Sequence, residues 1–188
     1  MTLRRFVSAS LLVAAPALAH AQAAIPLSPF SFTVSAGGVV PVGSTKDSFN
    51  TGYQVGAGVD LSIPLSPIGF RAEVNYASLD AKPSNGVTGK VNDFGGNANI
   101  VYGLFQPIPF APKPYLTGGA SYSRLTVSAT SGSTSISSPA ENHYGFNVGA
   151  GVDITLAGFG VRFDARYKQI STSGDALKTF PLTVGIKF

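Results

Sequence analysis

Cysteine and tryptophan are absent from this 188-residue sequence, and only 12% of its residues are charged. Without cysteine, neither disulfides nor thiolate metal sites can form, so the folded chain must rely on packing and hydrogen bonds. After residue 25, no apolar run approaches the roughly 18 residues that a membrane-spanning helix requires. Two classes remain: a soluble exported protein, or a membrane protein that crosses the bilayer with strands.

A strong excess of basic charge is also missing. Two of the 13 lysines and arginines, Arg4 and Arg5, lie in a predicted leader, which leaves 11 basic residues against 9 acidic ones. No cluster of lysine and arginine predicts contact with nucleic acid. We therefore expect no nucleic-acid partner.

The first 21 residues predict a secretory signal peptide. Arg4 and Arg5 form a basic region, an apolar segment of about ten residues follows, and the letters AHA at 19–21 have the small-x-small pattern of a cleavage site. Cleavage after Ala23 is the alternative. Pro16 and the shortness of the apolar segment oppose a retained membrane anchor.

Residues 22–29 are a predicted N-terminal lead, and 30–188 are a predicted all-β domain in which apolar and polar residues alternate. In YQVGAGVDLSI, for example, one face carries Tyr, Val, Ala, Leu and Ile, and the other carries Gln, Gly, Asp and Ser. Most of the alternating segments have the about 9–11 residues that a tilted strand needs to cross a bilayer. Eight strands are predicted, at 30–40, 53–63, 70–76, 94–104, 115–127, 144–156, 159–170 and 180–188.

The connections between these strands alternate in length. Short ones follow the second, fourth and sixth strands, at 64–67, 106–114 and 157–158. Longer polar ones follow the first, third, fifth and seventh strands, at 42–51, 80–92, 128–142 and 171–178. Short turns at one end and long loops at the other are typical of an eight-stranded antiparallel up-and-down transmembrane β-barrel.

The composition of the polar face decides which face meets lipid. A lipocalin-like soluble barrel would have an apolar interior and a polar exterior. Here the polar face combines glycines with charged residues, which suits a narrow interior better than a solvated surface. The apolar face, rich in Val, Ile, Leu, Phe and Ala, suits contact with lipid.

An internal repeat predicts pairs of charges across two hairpins. The letters VGAGVD occur at 55–60 and 148–153, and each copy leads through a turn into an Arg-x-acid pattern. Counting outward from the turns sets Asp60 opposite Arg71 and Asp153 opposite Arg162, with the two hairpins about half-way round the ring from each other. Buried charges need partners. A lumen polar network that plugs the barrel is therefore predicted, consisting of Asp60, Arg71, Glu73, Asn75, Asn97, Asn99, Asp153, Arg162, Asp164 and Arg166.

Together with the leader, the alternating strands and the charged lumen, the closing letters LTVGIKF make the chain resemble the small eight-stranded outer-membrane barrels of the OmpA/OmpX type. This resemblance implies an outer-membrane location and a last strand that is read by the barrel-assembly machinery through Leu182, Val184, Ile186 and Phe188. It implies no peptidoglycan-binding role, since nothing in the sequence follows Phe188. Because tryptophan is absent, the interfacial aromatic belts must use phenylalanine and the tyrosines Tyr53, Tyr76, Tyr102, Tyr122 and Tyr167.

Residues for catalysis or metal binding are scarce. After the leader a single histidine remains, so no metal site and no cofactor are predicted. His143 and Glu141, near Ser121 or Ser123, are the one conceivable base and nucleophile, but no sequence spacing links them. An outer-membrane lipid-modifying enzyme is therefore the second alternative, and we expect a protein that is not an enzyme.

The leading hypothesis is a structural or surface-interaction role, in adhesion or envelope integrity, through the outer loops. The Ser/Thr-rich loop 128–142 is the longest of them and a candidate ligand surface, although a flexible hydrophilic loop is the plainer interpretation. The main alternative is a narrow porin that passes ions or very small solutes. Four cations near the outer loops are candidates for contact with anionic outer-membrane lipid such as lipopolysaccharide: Lys46, Lys82, Lys90 and Arg124.

Overall fold

The computed structural model describes most of the predicted domain. The predicted signal peptide and nearly all of the lead 22–29 lie outside the described residues, as does part of the predicted turn 106–114, so these remain predictions. The described residues are 29–83, 87–104, 111–131, 134–156, 158–172 and 174–188.

The described chain is almost entirely β-strand. Its elements in chain order are β1 (Phe30–Pro41), α1 (Thr45–Ser48), β2 (Gly52–Ser62), β3 (Ile68–Asp80), β4 (Val87–Gly103), β5 (Lys113–Ser131), β6 (Thr134–Ser137), β7 (Glu141–Thr155), β8 (Gly160–Ile170) and β9 (Leu177–Lys187). Within the described residues, no helix has the length and apolar character needed to cross a membrane.

Eight of these strands form a closed antiparallel barrel, and β6 lies outside the ring. Neighbours in the chain pair with each other, with β5 pairing directly to β7. The last strand, β9, pairs back to β1 from Thr33↔Lys187 to Pro41↔Thr179. The predicted eight-stranded up-and-down barrel, closed by its first and last strands, is confirmed.

The two faces of the barrel wall differ in the way a membrane barrel requires. Phe32 and Val74 point outward and are 58% and 56% exposed, whereas Asp60 and Arg71 point inward and are 6% and 2% exposed. A soluble barrel would bury the first pair and expose the second. The lipocalin-like alternative is therefore excluded.

Two predicted loops are wrong in part, because the strands at the long-loop end are longer than their alternation suggested. In place of the loop 80–92, β4 already begins at Val87, and its pairing with β5 continues out to Val87↔Ser131. In place of the loop 128–142, β5 turns back and pairs with β6 over residues 134–137. In residues 128–137, serine and threonine at both odd and even positions conceal a period of two, although threonine favours strands.

Aromatic side chains lie on the outer surface near the long-loop end. The rings of Tyr53 and Tyr76 are 6.4 Å apart, and those of Tyr122 and Tyr144 are 5.6 Å apart. Tyr102 lies near the opposite end of β4 and is 47% exposed. Tyrosine and phenylalanine thus occupy the positions where interfacial aromatic belts lie in membrane barrels.

Candidate functional site

The interior of the barrel carries an ion-pair network, which the two repeated hairpins build together. Arg71 binds Asp60 of its own hairpin at 2.6 Å and Asp164 of the other hairpin at 2.9 Å. Arg162 binds Asp153 of its own hairpin at 2.7 and 2.8 Å and Asp60 of the other hairpin at 2.9 Å. The predicted registers Asp60↔Arg71 and Asp153↔Arg162 are confirmed.

Asp164 accepts hydrogen bonds from three side chains on three strands. Arg71 donates at 2.9 Å, the Tyr115 hydroxyl at 2.5 Å, and Arg166 at 2.6 and 2.9 Å. The guanidinium carbon of Arg71 lies 4.8 Å from the centre of the Tyr115 ring, and that of Arg162 lies 5.6 Å from it. A buried aromatic ring therefore lies close to two like charges, which also share the Asp60 carboxylate, and is attracted to both.

A layer of amides continues the network towards the long-loop end. Arg166 makes a bidentate ion pair with Glu73, and the Asn99 amide donates to the same carboxylate at 3.2 Å. Asn147 then donates to Asn99 at 2.8 Å and to Ser121 at 3.0 Å. The Ser121 hydroxyl donates to Asn97, and Asn97 donates to Asn75, at 2.8 and 3.0 Å.

Glycines opposite the long side chains provide the space for this network. A Cβ on Gly151 would lie 2.3 Å from the Tyr115 hydroxyl oxygen and 2.4 Å from its Cζ. A Cβ on Gly149 would lie 2.7 Å from Cγ of Arg166, and one on Gly58 would lie 2.8 Å from Cγ of Glu73. At these places a methyl group would occupy the volume that the ion pairs need.

Several residues of the interior are not found by the sequence analysis. Lys187 binds Asp153 at 2.9 Å, and a further buried pair joins Lys168 to Asp93 at 2.8 Å. Tyr115 is also new. All of these lie at inward positions of their strands, so continued alternation could have indicated the face on which they lie. In the described interior, five cations and five anions are thus paired: Arg71, Arg162, Arg166, Lys168 and Lys187 with Asp60, Glu73, Asp93, Asp153 and Asp164.

The interior near the long-loop end is apolar, a feature that the sequence analysis does not predict. Six buried side chains form two clusters there, and the partly buried Phe49 packs against both. Phe49 directly follows α1. The loop that contains α1 is held in place by two contacts: the Lys178 backbone N–H donates a hydrogen bond to Thr45 Oγ1, and Phe49 forms an isolated β-bridge with Ala81. The six are Val39, Ala77, Leu79, Val91, Leu125 and Ile170.

The residues considered for catalysis lie near one another without forming an accessible catalytic set. His143 and Ser123 are directly opposite in the register. Ser123 is completely buried, and its Oγ has no hydrogen-bond partner in the part of the chain that the structure describes. His143 Nε2 is 3.5 Å from a carboxylate oxygen of Glu141. Among the described residues, no group of three or more His, Cys, Asp or Glu side chains is placed to hold a metal ion.

The last strand presents one continuous apolar row to the outside of the barrel. Leu182, Val184, Ile186 and Phe188 are 47–59% exposed. Phe188 also exchanges two backbone hydrogen bonds with Phe32, at 2.8 and 3.0 Å. These side chains therefore face lipid, while the backbone of the same strand closes the ring.

Solved outer-membrane barrels share this fold. Neisserial surface protein A aligns with a TM-score of 0.57 and 18% identity, over 85% of this chain and 96% of that one. A major outer membrane protein of Thermus thermophilus aligns with a TM-score of 0.57 and 16% identity, over 86% and 99%. Ail, the attachment invasion locus protein of Yersinia pestis, in complex with the heparin analogue sucrose octasulfate, aligns with a TM-score of 0.50 and 18% identity, over 86% and 100%.

No curated protein matches the chain. A family model does: the model described as "Outer membrane protein beta-barrel domain" matches residues 6–188. The match covers nearly the whole sequence and agrees with the closed eight-stranded ring and the apolar exterior. The chain therefore belongs to the outer membrane protein beta-barrel domain family.

Proposed function

We propose that this outer-membrane protein is a non-enzymatic barrel, that its own side chains close its lumen, and that it acts through its extracellular end. The proposal rests on one observation: two ion pairs join β3 to β8 across the interior. They are Arg71–Asp164 and Glu73–Arg166. In the ring order, β3 and β8 are four strands apart on either side. The links therefore span the full diameter of a barrel that is just wide enough for side chains to fill.

A second layer supports closure at the extracellular end. Phe49 contacts both apolar clusters, so it packs against side chains from opposite parts of the wall. Narrow apolar constrictions exclude water and ions by dewetting. The ion-pair network and the Phe49 layer are thus two barriers in series.

Conductance across planar bilayers tests this arrangement. We expect no steady channels from the wild-type protein, and none from either the charge-balanced variant Arg71→Ala/Glu73→Ala/Asp164→Ala/Arg166→Ala or Phe49→Ala, because each variant retains one barrier. The variant that combines all five substitutions is expected to conduct. Steady wild-type channels would favour the narrow porin instead, and a silent but folded combined variant would contradict the two-barrier model.

The extracellular surface is the proposed site of interaction. There β4, β5 and β6 form a three-stranded extension beyond the ring, and its surface exposes Ile136 and Val127. The similar barrel Ail has been solved with a heparin analogue bound. In this protein, candidate contacts for anionic lipid or polysaccharide are Lys46, Lys82, Lys90 and Arg124, of which Lys90 lies 3.5 Å from Asp80.

A replacement experiment tests the role of the extension. Residues 128–142 would be replaced by a Gly/Ser segment of equal length, with the same replacement of 171–176 as the control. We expect the first variant, but not the second, to reduce cell attachment to a heparin-coated surface or to increase leakage of periplasmic enzyme at least several-fold. If the first variant folds and both readouts match those of the wild type, the extension has no such role.

Two further parts of the proposal concern chemistry and assembly. The burial of Ser123 beneath the apolar layer supports the absence of hydrolase activity, since a lipid substrate has no route to its hydroxyl. The outward row on β9 offers the barrel-assembly machinery an apolar strand that ends at Phe188. We propose that this row is the signal for assembly.

A further inference from the structure

A small cavity lies inside the barrel, among the ion pairs and the layer of amides. Its volume is about 30 Å³. A site of about 10–15 Å³ is enough for one water molecule, so this cavity has room for about two. Most of the residues that line it are polar, among them Glu73, Asn75, Asn147, Asp164, Arg166 and Lys168.

Two of the lining side chains have a hydrogen-bonding atom without a partner. Asn75 accepts from Asn97, but its own Nδ2 donates to no described atom. Asn147 donates to two acceptors, but its Oδ1 accepts from no atom of the described residues. The two residues are 5% and 3% exposed, so bulk solvent does not satisfy either atom. Leaving such groups unpaired costs about 1–3 kcal/mol each.

A ligand in this cavity would therefore have to accept a hydrogen bond from Asn75 Nδ2 and donate one to Asn147 Oδ1. It would also have to fit a volume of about 30 Å³, which is too small for an organic molecule. It must also be neutral, because the five cations and five anions of the described interior already balance. An added anion or cation would leave a net charge in a medium of low dielectric constant. We propose that this cavity is a binding site for one or two water molecules that join Asn75 Nδ2 to Asn147 Oδ1.

The surroundings of the cavity determine how fast this water exchanges with bulk solvent. Arg166, which is ion-paired to Asp164, and Lys168, which is ion-paired to Asp93, form part of its wall. Water at this position is held by two amide side chains that are themselves buried. We therefore expect exchange with bulk water to be slow compared with that of surface water.

The wild-type protein gives the first test. A high-resolution crystal structure is expected to show density within hydrogen-bonding distance of both Asn75 Nδ2 and Asn147 Oδ1. NMR in micelles is expected to show a nuclear Overhauser effect between water and the Asn75 side-chain amide. An empty cavity without this effect would overturn the proposal, and so would anomalous scattering from bromide or rubidium soaked into the same position.

A matched pair of variants gives the second test. Ser35 lines the cavity, and Val34 precedes it on the lipid side of the same strand. Ser35→Leu is expected to fill the space and abolish both signals, whereas Val34→Leu leaves them unchanged. Persistence of the water signal in a folded Ser35→Leu protein would contradict the assignment. The water site depends only on the geometry of the interior. Its test is therefore independent of the conductance experiment, which tests whether the lumen is closed.

Discussion

Asp164→Asn is expected to destabilise the barrel by about 3–5 kcal/mol, the usual cost of removing one partner from a buried ion pair. The substitution preserves the shape of the side chain but leaves Arg71 and Arg166 without a carboxylate that both contact. It also leaves an uncompensated positive charge in the balanced interior. Reversible urea unfolding in lipid vesicles would measure the loss as a change in the free energy of unfolding.

The same chemical change at the surface is the control for this result. Asp80 is paired with Lys90 at 3.5 Å, and the two side chains are 65% and 49% exposed. Exposed pairs contribute up to about 1 kcal/mol, so Asp80→Asn is expected to change stability little. Adding Arg166→Gln to Asp164→Asn restores the charge balance, and the double variant should lose less stability than the sum of the single ones. Equal losses for Asp164→Asn and Asp80→Asn would mean that the network does not stabilise the fold.

The barrel itself could be predicted because local rules determine it. Alternation with a period of two assigns each side chain to a face, and the two short turns fix the register of the hairpins that they connect. Asp60↔Arg71 and Asp153↔Arg162 follow from these rules alone. The resemblance to small outer-membrane barrels, carried in part by the closing strand, implied the same eight-stranded architecture.

Contacts across the lumen could not be predicted in the same way. The bond between Arg71 and Asp164 joins residues 93 apart in sequence, and its existence depends on the stagger of all the intervening strands. Nothing local to Tyr115 shows that its ring would reach two arginines from different hairpins. The apolar layer was missed for another reason: its six members come from five strands and only β3 contributes two of them, so no segment contains a long inward apolar run.

Gly151→Ala is expected to be the second very damaging substitution, with a loss of about 3 kcal/mol or more. The new Cβ would lie within 2.5 Å of the Tyr115 ring, its hydroxyl and the carbonyl oxygen of Phe163. Overpacking of this kind costs about 1–3 kcal/mol. Displacing Tyr115 would also break its 2.5 Å hydrogen bond to Asp164, which adds the cost of an unpaired buried group. Urea unfolding of the variant in lipid vesicles would measure the total.

Two comparisons separate this effect from a general intolerance of alanine in the strands. Gly118 faces lipid, and a Cβ there would meet its nearest atom at an ordinary 3.6 Å, so Gly118→Ala is expected to be close to neutral. In a Tyr115→Ala background, the cost of Gly151→Ala should fall by at least about 1 kcal/mol, because contacting residues couple in a double-mutant cycle. If Gly151→Ala costs as much stability in that background as in the wild type, the glycine is needed only for the close approach of backbone atoms to β7, and not for Tyr115. A reduced cost would mean that the glycine provides the space in which Tyr115 contacts the two arginines, and hence that the repeated hairpins depend on a residue outside the repeat.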